Sequence, residues 1–169
     1  IDRMCGCEIV FKCENFQKAG AFKSRGASNA VFSLLENGFE GSVATHSSGN
    51  HAQALSRVSL HAGIAAHVVM PENSLMSKIN ATKEYKAQIT FCKPTLDARE
   101  STLHEVMAAT GAVEIHPYDN PGIIAGQATC AMEILDEYKP DFILAPVGGG
   151  GLLSGTALAA AHSGQTVKV

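Results

Sequence analysis

Two patterns of hydrophobic residues alternate along this chain, one typical of buried strands and one typical of helices. Short apolar runs of the kind that form buried strands lie at 9–13, 42–45, 65–70, 88–92, 112–115 and 142–145. Between them, apolar residues recur every three or four positions, which is the period of a helix. Helices are predicted from about residue 22 to 35 and at 50–62, 75–86, 97–110, 122–138 and 152–161. Strands that alternate with helices in this way predict an α/β fold of parallel β/α units, with helices on both faces of a sheet.

Composition narrows the class of protein without naming a function. The 169 residues are 46% hydrophobic and 17% charged, with a net charge of −3, which is typical of an ordinary globular protein. A mild negative charge without a basic patch argues against nucleic acid as a partner. No apolar run reaches the roughly 20 residues needed to cross a bilayer, so no membrane partner is expected. Five scattered cysteines are interpreted as reduced thiols of a cytoplasmic protein, and they form no tetrahedral metal set.

Lys23 is the first candidate for chemistry. It follows Gly20 and lies in the first turn of the predicted helix, close to the partial positive charge of the helix N-terminus. That charge disfavours an ammonium and favours a neutral amine, which suits an imine-forming lysine. The alternative from this stretch alone is a solvated lysine on an amphipathic helix.

Two loops of small residues strengthen the case for a binding site. Ser47-Ser48-Gly49-Asn50-His51 lies between a predicted strand and a predicted helix, and so does the tetraglycine run 148–151. Backbone N–H groups at a helix N-terminus bind anions, and glycines let a phosphate approach them closely. Loops of this type at successive strand-to-helix junctions predict an anion-binding site.

These residues resemble a known family. The segment 11–27, Phe-Lys-Cys-Glu-Asn-Phe-Gln-Lys-Ala-Gly-Ala-Phe-Lys-Ser-Arg-Gly-Ala, together with the serine loop 47–51 and the tetraglycine, is similar to the fold-type II pyridoxal-phosphate enzymes. Within them it looks most like the serine racemases and the serine/threonine dehydratases, over essentially the whole chain. The resemblance implies the tryptophan synthase β-like fold, a pyridoxal phosphate cofactor and a small amino-acid substrate.

The resemblance also implies roles for individual residues. Lys23 would be the covalent anchor of the cofactor and the base on one face of the substrate, with Phe22 packed on the pyridine ring. Residues Gly148, Gly149, Gly150, Gly151 and Leu152 would bind the cofactor phosphate. Asn50 would bind the ring hydroxyl. The substrate carboxylate would be received by Ser47, Ser48, Asn50, His51 and Arg99. No metal ligand is assigned within these residues.

Ser48 bears on the choice of reaction. Racemisation needs an acid or base on each face of the reacting carbon, and Lys23 can serve only one. Family racemases carry serine at this position and many dehydratases carry alanine, so Ser48 favours racemisation of L-serine with accompanying elimination to pyruvate and ammonia. A loop-capping hydroxyl is the simpler alternative for Ser48, and a surface charge paired with a glutamate is the alternative for Arg99.

The domain organisation is likewise implied by the resemblance. Residues 46–117 would form a small domain, and 1–45 and 118–169 would be parts of an incomplete large cofactor domain. The chain begins near one strand-like run and stops at another, 166–169, so truncation at both ends is expected, and residues 1–169 alone are expected to be inactive. The full-length protein is expected to be a homodimer, with Mg²⁺ and ATP as candidate activators. Lys86 departs from the family because it occupies a helix-ending position where glycine is usual.

Other functions remain open at this point. A dedicated threonine or serine dehydratase would use the same lysine and glycine loop, and so would a β-replacement enzyme of the cysteine-synthase type. A non-catalytic nucleotide-binding module is a third reading, but no acidic residue follows the tetraglycine to bind a ribose.

Overall fold

Four parallel strands form the only sheet of the molecule. The computed structural model describes residues 1–169. The strands are β1 (Val43–His46), β2 (Ala66–Pro71), β3 (Gln88–Cys92) and β4 (Val113–Glu114). Their spatial order is β3-β2-β1-β4, and every pairing is parallel. The carboxyl ends of all four strands therefore lie at one edge, which is where parallel sheets usually carry their binding sites.

Seven helices surround or extend this sheet. They are α1 (Asp2–Cys5), α2 (Lys23–Glu36), α3 (Asn50–Ala62), α4 (Met76–Glu84), α5 (Leu96–Thr110), α6 (Pro121–Glu137) and α7 (Gly151–His162). Side-chain caps fix two of the starts, because Thr95 Oγ1 accepts from Ala98 N–H and Asn120 Oδ1 accepts from Ile123 N–H. None of the helices is long and apolar enough to cross a membrane.

The core has helices on both faces of the sheet, as the alternating pattern predicts. On one face, Val43 of β1 packs with residues of α2, α3 and α6. On the other face, Ala44 and Val69 pack against Leu103 of α5. A separate cluster joins α6 to α7 through Ala131, Leu135 and Ala159 and includes Ile143. Helices α2, α6 and α7 thus form a layer whose packing is partly independent of the sheet.

The expected strand at 9–13 is wrong. This segment is irregular, and the chain begins with the short helix α1 instead. Val10 and Phe11 remain exposed because no strand lies beside them. Lys12 holds the segment to α6 through an ion pair with Glu133, 2.6 Å between Nζ and Oε2.

The expected strand at 142–145 is also not formed. The strand expected at 166–169 is not formed either. The two segments pair only through a single bridge between Phe142 and Lys168. Leu144 is 92% exposed. An apolar run becomes a strand only when its backbone groups find partners, and here the pairing does not extend beyond that one position.

Two smaller expectations agree with the structure. All five cysteines are free thiols, with Cys92 and Cys130 buried. Lys86 has φ +59°, so a lysine occupies the left-handed position that glycine usually takes.

Candidate functional site

Lys23 is the first residue of α2, as predicted, and its side chain points toward the end of the sheet. Its Nζ donates a hydrogen bond of 2.6 Å to the carbonyl oxygen of Pro117, in the loop between β4 and α6. Burial lowers the pKa of this amine below its ordinary value. The Phe22 ring lies beside it, 5.2 Å from ring centroid to Nζ. The amine is therefore both held in place and biased toward the neutral, nucleophilic form.

Behind Lys23, an ion network that sequence reasoning missed holds the start of α2. The Arg25 guanidinium donates to Glu14 at 2.8 Å and to Glu133 at 2.6 Å, and its side chain is only 10% exposed. These hydrogen bonds from Arg25 and Lys12 lower the pKa of Glu133 to about 2. The network joins α2, α6 and the turn at Glu14. The sequence offered one signal for this network, because Glu14 and Arg25 are opposite charges within the segment 11–27.

The serine loop leaves the carboxyl end of β1. Ser47 N–H donates to Val69 O at 3.0 Å and Ser47 Oγ accepts from Gly49 N–H at 3.3 Å, while Ser48 is exposed. Asn50 begins α3, and its Oδ1 accepts from Lys78 Nζ at 2.7 Å. Because a lysine can only donate, this contact turns the amide NH₂ of Asn50 away from Lys78 and leaves it free as a donor.

His51 has a different environment from the rest of this loop. Its residue is 2% exposed and its ring nitrogen Nε2 lies 3.0 Å from Ile115 O. A carbonyl can only accept, so Nε2 carries the proton and Nδ1 is a buried acceptor without a partner. Burial lowers the pKa of His51 to about 3. The neutral ring thus ties the start of α3 to the end of β4.

The tetraglycine forms the N-terminus of α7, as predicted. Gly150 caps the helix at φ +90°, a conformation that L side chains rarely adopt. A Cβ placed on Gly148 or Gly150 would have nothing within 4 Å. These positions border open space at the positive end of a twelve-residue helix, which is a suitable place for a phosphate.

One short segment joins the three motifs. Residues 115–118 follow β4 and supply the Ile115 oxygen that binds His51 and the Pro117 oxygen that binds Lys23. They also supply Tyr118, whose ring lies against Gly149. Sequence reasoning missed this segment because two of its contacts are made by backbone carbonyls, which no side-chain pattern indicates.

Arg99 lies on α5 and is half-buried. It takes part in none of the three ion pairs, all of which belong to the network of Lys12 and Arg25, so the expected alternative of pairing with a glutamate is not observed. Its Nε is buried without a hydrogen-bond partner. Burial and the neighbouring His116 lower the pKa of the His46 imidazole, and the nearby charge of Arg99 lowers it slightly further. The guanidinium thus lies near the start of the serine loop and has a hydrogen-bond donor without a partner.

His46, Glu114 and His116 bring their ligand-type atoms within 4.8 Å of one another. Nδ1 of His116 accepts a 2.8 Å hydrogen bond from Asp119 N–H, which places the proton of the neutral ring on Nε2. Neither nitrogen of His116 then has a free lone pair for a metal. The arrangement favours a hydrogen-bonding role for this cluster over metal ligation.

Comparison with known proteins identifies the family. The family model described as pyridoxal-phosphate dependent enzyme matches residues 1–169. Serine racemase of Dictyostelium discoideum is 47% identical over 170 residues, which are 100% of this chain and 52% of that protein. A beta-hydroxyaspartate dehydratase of Paracoccus denitrificans is 46% identical over 94% of this chain and 50% of its own length. This chain therefore spans about half the length of the curated relatives it matches.

Solved structures confirm the fold. The crystal structure of the Dictyostelium discoideum serine racemase has a TM-score of 0.93 and covers 99% of this chain and 55% of its own. The crystal structure of a threonine deaminase from T.th., at 37% identity, has a TM-score of 0.89 with the same shares covered. The predicted α/β fold of fold-type II is thereby confirmed, and pyridoxal phosphate is the cofactor that the family implies. The chain belongs to the family of pyridoxal-phosphate dependent enzymes.

Proposed function

We propose that the protein containing this chain interconverts L-serine and D-serine and also eliminates water from serine to give pyruvate and ammonia. The observation that carries the proposal is Lys23, a buried amine with a lowered pKa. Segment 115–118 connects it both to the glycine turn at the N-terminus of α7 and to the serine loop. The relatives at 41–47% identity that bear the name serine racemase support the substrate.

The residues present fit pyridoxal phosphate. Lys23 offers an amine whose pKa is lowered by burial. The N-terminus of α7 offers N–H donors beside Gly148 and Gly150, and Asn50 offers a free amide NH₂ for the ring hydroxyl. We place Phe22 on the face of the ring and Gly149, Gly151 and Leu152 in the phosphate turn. When bound, pyridoxal phosphate withdraws electrons from the α-carbon of the amino acid and makes its α-proton acidic.

Protein side chains then decide what happens to that proton. Lys23 Nζ removes or returns it on one face, and burial lowers the pKa of this amine below its ordinary value, which favours its role as a base. The exposed hydroxyl of Ser48 does the same on the opposite face. Removal of the α-proton on one face followed by return of a proton on the other face gives racemisation. Loss of the β-hydroxyl after proton removal gives elimination from the same site.

The substrate carboxylate is proposed to lie at the N-terminus of α3. Ser47, Ser48 and Asn50 surround this position, and Arg99 supplies an unpaired guanidinium from α5. His51 contributes its backbone N–H, because its ring is buried against Ile115 and holds the loop from behind. An oriented N–H at a helix start is well suited to a carboxylate.

Larger-scale features extend the proposal to the whole protein. Residues 46–117 form the small domain, and 1–45 and 118–169 belong to the large cofactor domain. Support comes from the separate core that joins α6 to α7. The protein is proposed to be a cytoplasmic homodimer in which Mg²⁺ and ATP act as regulators at sites outside these residues.

A second candidate is a dedicated dehydratase. The 37% identical threonine deaminase structure and the 46% identical beta-hydroxyaspartate dehydratase favour it. The two candidates differ in whether a proton is returned to the second face.

The test is a product analysis of the intact protein loaded with pyridoxal phosphate and supplied with L-serine. D-serine is measured by chiral chromatography and pyruvate by a coupled reduction. We expect both products, and we expect Ser48→Ala to lower D-serine formation at least about a hundredfold while elimination continues. Ser101→Ala, an exposed serine on α5, is the control. Formation of pyruvate without D-serine would establish the dehydratase. If neither product forms, both candidates are overturned.

A further inference from the structure

Gly149 is the tetraglycine residue with no room for a side chain. A Cβ built there would lie 2.2 Å from Cγ and Cδ1 of Tyr118 and 2.5 Å from Cε1. Cγ is the ring atom joined to the tyrosine Cβ, so rotation of the ring about the Cβ–Cγ bond does not move Cγ and does not relieve the overlap. A residue larger than glycine at 149 must displace the ring or the turn.

This contact is not part of the hydrophobic core. Gly149 is exposed and Tyr118 is 39% exposed. Gly148 and Gly150, on either side, border open space. The turn thus rests against an aromatic ring at its middle residue, and it is open where an anion would approach. A run of four glycines has many accessible conformations, and such a contact removes some of them.

Tyr118 is also positioned by contacts near Lys23. The residue before it, Pro117, accepts the hydrogen bond from Lys23 Nζ. Its ring packs edge-to-face on His116 at 4.6 Å between centroids, and its backbone lies 3.2 Å from the Cβ position of Gly151. One dipeptide, Pro117-Tyr118, therefore contacts both the amine and the glycine turn.

We infer that Tyr118 is a positioning residue that sets the distance between the phosphate-binding turn and the amine of Lys23. The inference rests on the proposed function. Pyridoxal phosphate is a rigid ring whose aldehyde and phosphate are a fixed distance apart, so its two anchors must be spaced to match. A turn free to move would weaken phosphate binding while leaving the amine reactive.

The test uses the intact protein and two probes, pyridoxal phosphate and pyridoxal, which lacks the phosphate. Absorbance of the lysine-linked form gives the dissociation constant of each, and the ³¹P resonance of bound pyridoxal phosphate reports the phosphate environment. The unaltered protein is measured first. Absence of a Lys23-linked form at that stage would overturn the proposed function itself, before any variant is compared.

With the cofactor linked to Lys23, we expect Gly149→Ala to weaken pyridoxal phosphate binding at least about tenfold. Gly148→Ala is the matched comparison and should weaken it less, because nothing lies within 4 Å of the added methyl group. Combining Gly149→Ala with Tyr118→Ala makes room for the methyl group, so the double variant should bind pyridoxal phosphate as well as Tyr118→Ala alone does. Pyridoxal binding should change little in all of these variants.

Tyr118→Ala alone provides a variant that introduces no overlap. It should move the ³¹P resonance and lower the affinity for pyridoxal phosphate relative to pyridoxal, whereas Tyr118→Phe keeps the ring and should behave as the unaltered protein. Equal losses for Gly149→Ala and Gly148→Ala, or a double variant in which the two single losses add, would overturn the inference. An unchanged ³¹P resonance in Tyr118→Ala would overturn it as well.

Discussion

The sheet region, residues 43–114, and the helix layer of α2, α6 and α7 are stabilised in different ways. In the sheet region, Val43 and Val68 are fully buried and every strand has a partner over its whole length. Beside the helix layer, the apolar segment 142–147 pairs at one position and Leu144 is 92% exposed. Yet the helix layer carries Lys23 and the tetraglycine.

A few specific contacts hold the helix layer together. One is the ion network of Arg25. Others are close backbone crossings: the Cβ position of Gly126 lies 2.6 Å from Gly26 Cα, and that of Gly155 lies 2.6 Å from Ala128 N. Substitutions at these contacts should therefore have larger effects than matched substitutions of residues outside the buried core of the sheet region.

The largest effect on stability is expected for Arg25→Met. It leaves Glu14 and Glu133 without their main partner and should lower the free energy of unfolding by about 3 kcal/mol. Arg57→Met, a half-buried arginine of α3 that makes no ion pair, is the control from the sheet region and should cost less than about 1 kcal/mol. Urea unfolding measures both, and equal losses would contradict the contrast between the two regions.

Gly155→Ala comes next. Its methyl group would press on Ala128 N and on Ile124 O at 2.7 Å, both backbone atoms, so α6 and α7 must separate. We expect a loss of about 2 kcal/mol even though alanine favours a helix. Ser154→Ala on the exposed side of α7 should change stability by less than about 0.5 kcal/mol. An unchanged free energy of unfolding in Gly155→Ala would contradict the close backbone contact between α6 and α7.

Lys86→Gly should have a smaller effect of opposite sign, in the sheet region. It relieves a lysine at φ +59° and should stabilise the protein by up to about 1 kcal/mol. Lys83→Gly, in the regular helix α4, should destabilise it by about 1 kcal/mol. Thermal unfolding distinguishes these outcomes, and destabilisation by both glycines would show that Lys86 carries no strain.

The smallest effect concerns pH. The pKa of Glu133 is lowered from 4.5 to about 2, so its stabilisation is present above pH 4.5 and is lost as pH falls toward 2. The side chain is 45% exposed, and screening by solvent limits this contribution to about 1 kcal/mol. Glu133→Gln should flatten the acid loss of stability in this range, whereas Glu137→Gln on the same helix should not. Identical acid profiles for both variants would argue against the network.

The same contrast explains what the sequence could predict. Strands β1 and β2 lie within one residue of their predicted bounds, because strands buried on both faces are apolar throughout. Helices α5 and α6 begin near their predicted starts, where Thr95 and Asn120 provide caps. The runs at 9–13 and 142–145 have the same apolar character but lack neighbours, and the pattern alone does not distinguish the two cases.

For the candidate site, the sequence predicts three motifs but not how they meet. Lys23, the serine loop and the tetraglycine are each recognisable at the start of a predicted helix, although only the serine loop follows a strand in the structure. Their connection runs through the carbonyls of Ile115 and Pro117 and through the ring of Tyr118. Backbone contacts of this kind depend on how far each strand extends, which the sequence predicts for β4 only to within a residue or two.

The central claim is that Lys23 is the covalent anchor of the cofactor. The most direct test adds pyridoxal phosphate to the intact protein, reduces with borohydride and maps the labelled peptide by mass spectrometry. The account predicts an absorbance band that borohydride removes and a stable label on Lys23. A label on another lysine, or none, would contradict it.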